Sequence, residues 1–253
     1  MALKIRRGFM KLDSPINNIS VIAFDADDTL WHNENIYLDT HEKFKQLLRQ
    51  YHNEEWIQQR LNETEIRNLQ HFGYGIKGFT LSMIETAIEL SEGRVSGNEI
   101  QMIIEFGKEM TQAPVELLEG VAETIAQLAK SCELMLITKG DLFDQEAKIA
   151  RSGLGDYFRH IEVVSEKNVE TYQRIAAKHG IAPERFLMVG NSLKSDILPV
   201  VAIGGKAVYI PYKTTWIHER VADEDLAAKK YLTIQSISLL PALLNKMTHD
   251  AVE

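Results

Sequence analysis

Ser20-Val21-Ile22-Ala23-Phe24-Asp25-Ala26-Asp27-Asp28-Thr29 decides how the rest of the chain is read. Its first half is an apolar run too short for a helix, and its second half is acidic. A run of this kind is a strand buried on both faces, with polar chemistry at its C-terminal end. Beyond Pro114 the same kind of run recurs at 134–137, 160–164, 186–189, 207–210 and near 231–234. Between these runs lie helical patterns at 120–130, 141–152, 169–179 and 195–203, and one more follows at 236–246. Gly153, Gly180 and Gly204-Gly205 mark helix ends, and Pro211 stops a strand. Strands alternating with helices of this length predict parallel βαβ units in a doubly wound α/β sheet.

The segment directly after the first strand breaks this rhythm. Residues 35–112 carry helical patterns at 37–52, 54–70, 77–90 and 99–111, with no convincing strand. The breaks are Gly73-Tyr74-Gly75 and the stretch from Gly93 to Gly97. The expectation is therefore a core of residues 1–33 and 115–253, with an all-helical domain, 34–114, inserted into it.

The 253 residues are 45% hydrophobic and 25% charged, enough for a sizeable core. The formal net charge of −8 excludes a global basic field for nucleic acid or an anionic membrane. The basic start, with Lys4, Arg6 and Arg7, lacks the apolar run of a signal peptide. No stretch approaches the roughly 18 apolar residues of a membrane span. A single cysteine, Cys132, excludes an internal disulfide and points to the cytoplasm.

In doubly wound sheets the ligand lies beyond the C-terminal ends of the strands. Asp25, Asp27 and Thr29 follow the first strand, Thr138 and Lys139 the second, and Lys167 the third. Gly190-Asn191 and Asp196 follow the fourth. Carboxylates gathered at one edge repel each other unless a cation neutralises them. An oxygen-rich site suits Mg²⁺, which binds few carboxylates and keeps waters plus a substrate phosphate. A carboxylate held there can attack phosphorus. Hydroxyls and lysines spread over the phosphoryl oxygens, so Thr29, Thr138, Lys139 and Lys167 are candidate phosphate contacts.

Asp25-x-Asp27-x-Thr29 after an apolar strand, then Thr138, Lys167 and Gly190…Asp196, resemble the four motifs of the haloacid dehalogenase-like hydrolases. The resemblance runs from about Ser20 to Lys246. It implies a Rossmann-like core with a helical cap of the C1 type, here about 34–114. It also implies Mg²⁺, with Asp25 as nucleophile and metal ligand and Asp27 as general acid/base that gives the metal its backbone carbonyl. Thr138 would bind the phosphoryl group, Lys167 would neutralise charge, and Asp196 would hold the metal. Two positions depart from the pattern. Asn191 stands where family members often have Asp, and it would meet the cation or one of its waters. Lys139 stands where many have Asn, and it either binds phosphate or faces solvent.

Single residues carry weaker signals. Lys148 rivals Lys167 but lies inside a helical pattern. Arg60, Arg67 and His71 read as a solvated helix face. Tyr74 and Lys77, in a glycine-rich loop, are candidate specificity residues. Trp31 and Trp216 either line an entrance or simply pack. The expected activity is Mg²⁺-dependent hydrolysis of a small phosphorylated metabolite through an aspartyl-phosphate. A dehalogenase, which needs no acid at Asp27, a phosphomutase and a catalytically weak binding protein are the alternatives. The sequence leaves the substrate and the oligomeric state open.

Overall fold

The computed structural model describes residues 19–213 and 231–249; Lys4, Arg6, Arg7 and Trp216 lie outside them. Strand β1, Val21–Phe24, is buried at every position. It pairs in parallel with β2, Glu133–Lys139, on one side and with β4, Phe186–Gly190, on the other. The remaining strands are β3, His160–Val164, β5, Lys206–Tyr209, and β6, Leu232–Thr233. All pairs are parallel, in the order β3-β2-β1-β4-β5-β6.

The pleat sorts the apolar runs onto two faces, because successive side chains point opposite ways. Ile22, Phe24, Leu134, Leu136, Leu187 and Val189 share one cluster with Val121 and Ile125 of α5, Val121–Leu128, and Ile149 of α6, Leu142–Ser152. Val21, Ala23, Met135, Ile137 and Met188 share the other with Tyr172 and Ile175 of α7, Val169–Lys178. Each such side chain contributes about 1.5–3 kcal/mol on burial. Covering on both faces is why the strands read as continuous rather than alternating runs.

Between β1 and β2 lie α1, Glu34–Leu48, α2, Glu54–Phe72, α3, Ile76–Leu90, and α4, Gly97–Gln112. They enclose a third apolar cluster of their own, including Phe44, Leu61, Phe79, Met83 and Ile103. Helix α1 starts earlier than its apolar spacing indicates. The Asp28 carboxylate accepts from the backbone N–H groups of Asn33 (2.9 Å) and Glu34 (3.1 Å) and so satisfies donors at the helix start. The two chain crossings are stitched together: His32 N–H donates to Glu116 O at 3.0 Å, and Trp31 bridges Leu117.

The helix expected at 195–203 is not uniform. Residues Leu193–Ile197 form a π-helical turn, and α8 follows as Leu198–Ala202. Pro199 is the physical reason. It has no N–H to give the carbonyl of Ser195, and the turn before it widens, with Ile197 N–H donating to Ser192 O at 3.2 Å. The Tyr172 hydroxyl, at 3.0 Å, satisfies the Ser195 carbonyl instead. This turn carries Asp196 to the sheet edge. Helix α9, Leu240–His249, closes the described chain.

Candidate active site

Asp25 directly follows β1 and donates its backbone N–H to Val189 O at 2.9 Å, so the sheet ladder itself fixes its position. Its side chain is buried. The Lys167 ammonium lies against Asp25 Oδ1 and stands 2.8 Å from Asp196 Oδ1. One buried cation thus bridges two buried carboxylates from different strand ends. Burial pulls the Lys167 pKa down, but Asp196 and Asp25 outweigh it and hold the ammonium well above its ordinary value. Burial, with Asp25 adding to it and Lys167 opposing, holds Asp196 above the ordinary carboxylate range. Asp196 Oδ2 also accepts from Ser192 N–H at 3.0 Å. Gly190 is required here: a Cβ at that position would lie 2.3 Å from Asp196 Oδ2.

Thr29 sits behind Asp25. Its hydroxyl donates to Asp25 Oδ2 at 2.9 Å and accepts from Asn191 N–H at 3.1 Å. It is buried and does not line the cavity, so it orients the carboxylate rather than facing it from outside. Thr138 does line the cavity, and its buried Oγ1 has no hydrogen-bond partner among the described residues. An orphaned hydroxyl beside an ammonium suits an anionic guest.

Asp27 lines the same cavity and has partners of its own. Its carboxylate takes Lys148 Nζ at 2.8 and 2.9 Å, Gln145 Nε2 at 2.9 Å and Trp31 Nε1 at 2.7 Å. Burial raises its pKa, yet the Lys148 charge and these three donors outweigh burial and leave Asp27 below the usual range. It rests ionised, ready to take a proton. Lys148 and Lys167 therefore divide the work: each serves one of the two aspartates. Trp31 is not an entrance residue; it is buried and positions Asp27.

The cavity holds about 200 Å³ and lies between the sheet edge and the inserted helices. Lys139 lines it rather than facing solvent. Its ammonium stands 4.0 Å over the Tyr74 ring and 3.2 Å from Ser195 Oγ. Tyr74, from the glycine-rich loop, lines the same cavity and donates to Glu166 Oε2 at 2.9 Å. Lys77 does not line it. Lys77 is exposed and ties the insert to the core through Asp141 Oδ1 at 3.0 Å. Arg60 pairs with Glu63 and Glu89, Arg67 with Glu85, and none of Arg60, Arg67 or His71 lines the cavity.

Among the described residues, no cluster of three or more His, Cys, Asp or Glu is placed to hold a metal. The donor set of Asp25, Asp196, the Asn191 amide and the Asp27 carbonyl is all oxygen, with only two carboxylates. That set fits Mg²⁺, which completes its shell with water and phosphate oxygens.

Comparison with known proteins agrees with this arrangement. The family model for the haloacid dehalogenase-like hydrolases matches residues 19–204. The 5-amino-6-(5-phospho-D-ribitylamino)uracil phosphatase YigB of Escherichia coli (strain K12) is 26% identical over 79% of this chain and 87% of its own. The human N-acylneuraminate-9-phosphatase is 24% identical over 92% of this chain and 96% of its own. A haloacid dehalogenase-like family hydrolase from Xanthomonas campestris superposes with a TM-score of 0.82 at 43% identity, covering 96% of each chain. Helical insert, parallel sheet and matched motifs coincide in one chain, which belongs to the haloacid dehalogenase-like hydrolases and is an enzyme of that family.

Proposed function

We propose that this enzyme is a Mg²⁺-dependent phosphatase that hydrolyses the phosphomonoester of a small metabolite, with Asp25 as nucleophile. One observation carries the reading: at the sheet edge the Lys167 ammonium lies against the Asp25 carboxylate, and the Thr138 hydroxyl, without a hydrogen-bond partner among the described residues, lines the same cavity of about 200 Å³. A phosphoryl group entering there meets a nucleophile, a cation and a free donor together. Asp25 attacks phosphorus; the bond to the alcohol breaks, and the phosphoryl group passes to Asp25. Lys167 and Thr138 hold the equatorial oxygens as charge spreads over them. Asp27, once protonated, gives its proton to the leaving alcohol and, ionised again against Lys148, takes one from the water that cleaves the aspartyl-phosphate and so frees Asp25 and phosphate.

Asp25, Asp196, Asn191 and the Asp27 carbonyl would hold Mg²⁺, which supplies charge neutralisation to the transferring group. The phosphatases among the relatives support a substrate that is a small phosphorylated metabolite. The cavity size favours the same class over a phosphoprotein. A cytoplasmic location fits the lone free Cys132, and no described helix is long and apolar enough to cross a membrane. Dehalogenation has less support, because displacement at carbon needs no proton carrier at Asp27, and here three donors hold that carboxylate in place. The test is phosphate release from a metabolite panel with and without Mg²⁺. EDTA should silence turnover and Mg²⁺ restore it, and Asp196→Ala should raise the Mg²⁺ required. Full activity of a metal-stripped sample would overturn the reading.

A further inference from the structure

The inserted helices place a second polar site on the cavity wall. Glu65 of α2 lines the cavity and is nine-tenths buried, and its Oε1 has no hydrogen-bond partner among the described residues. Across from it stands His41 of α1, whose Nε2 is 3.8 Å from Oε1, beyond hydrogen-bond reach. The imidazole is held firmly. Gln58 Nε2 lies 2.8 Å from His41 Nδ1, and Asn62 Oδ1 anchors the same amide at 2.8 Å. The ring also stacks on Phe79 with centroids 5.1 Å apart. When Nδ1 accepts from Gln58, the ring proton sits on Nε2, facing Glu65.

A carboxyl oxygen and an N–H 3.8 Å apart can both reach one oxygen atom placed about 2.8 Å from each. A hydroxyl fits that place, since it accepts from His41 and donates to Glu65. An ammonium would satisfy Glu65 but offer His41 no acceptor. A buried carboxyl oxygen with no partner carries a desolvation penalty that a bound hydroxyl removes.

We propose that Glu65 and His41 are specificity-determining residues that grip a hydroxyl on the organic part of the substrate, so that sugar and polyol phosphates are preferred over their deoxy analogues. This rests on the phosphatase reading above. The test compares kcat/KM for glycerol phosphate and ribose phosphate with their deoxy analogues, using p-nitrophenyl phosphate as the common reference. The wild-type enzyme should favour the best hydroxylated substrate over its deoxy partner on the order of 10²-fold or more. Glu65→Leu should bring that ratio close to one by lowering the hydroxylated member alone. His41→Phe, which keeps the stack on Phe79, should do the same if Glu65→Leu is poorly folded. If p-nitrophenyl phosphate is turned over but the ratio is flat in the wild type, or survives in a folded variant, the inference fails and the phosphatase reading stands. If no phosphomonoester is hydrolysed, both fall.

Discussion

Replacing Lys148 by Met tests the division of labour between the two lysines. The Lys148 ammonium reaches Asp27 at 2.8 Å, Asn33 Oδ1 at 3.1 Å and Asp144 at 3.4 Å. Methionine keeps the stem and removes the charge. Breaking a buried pair from one side costs about 3–5 kcal/mol, because the other charge is left behind. Asp27 keeps 21% side-chain exposure and two neutral donors, Gln145 and Trp31, which places the expected loss near the lower bound, about 3 kcal/mol. Urea unfolding followed by circular dichroism reads this directly. Asp27→Asn removes the stranded charge, so the double variant should be less destabilised than the sum of the singles by at least about 1 kcal/mol. In activity, Asp27 loses its two-point anchor, and a shift of about 1 Å costs on the order of 10² in kcat. A stability loss below about 0.5 kcal/mol, or full additivity in the cycle, would refute the claim that Lys148 holds Asp27.

Three further outcomes follow from individual contacts. Gly190→Ala puts a Cβ 2.3 Å from Asp196 Oδ2, so the carboxylate must move and a Mg²⁺ titration of activity should shift to higher concentration. Thr138→Val removes a hydroxyl with no partner in the structure, so thermal stability should not fall. A hydrogen bond to a charged group is worth about 1.5–3 kcal/mol, so the same variant's kcat/KM should drop roughly 10–100-fold. Burial, with the Glu34 charge adding to it, pushes the Glu65 pKa up to about 8. An acid whose folded pKa is raised binds more protons folded than unfolded. Its contribution is therefore full below its unfolded value and is lost as pH rises toward about 8. Glu65→Gln should flatten that decline in urea midpoints measured from acid to mildly alkaline pH.

The sheet was legible because its strands are buried on both faces and read as unbroken apolar runs. Asp25, Thr138, Lys167 and Asp196 could be picked out because each stands at or just beyond the C-terminal end of a strand, and topology alone brings strand ends together. Lys148 could not be found that way. It reaches Asp27 from the interior of α6, and only its spacing four residues after Asp144 hints at a paired, inward-facing lysine. Glu65 and His41 looked like ordinary polar helix positions, since nothing local shows which side of an inserted helix bundle will face the sheet. Trp31 was ambiguous for a related reason: its indole is buried by the crossing at Leu117, far along the chain. Lys77 reads as a cation in a glycine-rich loop, yet it lies in the first turn of α3, and its tie to Asp141 depends on how the insert sits on the core.

The central claim is that the phosphoryl group passes through Asp25. Acid-quenched enzyme, mixed with a hydrolysable phosphomonoester and Mg²⁺, can be digested and its peptides weighed. The account predicts one phosphoryl group of added mass on the peptide containing Asp25, and neither that adduct nor phosphate release in Asp25→Asn, which should still fold. Phosphate released at an undiminished rate by Asp25→Asn, or a phosphoryl group trapped on a different residue, would contradict it.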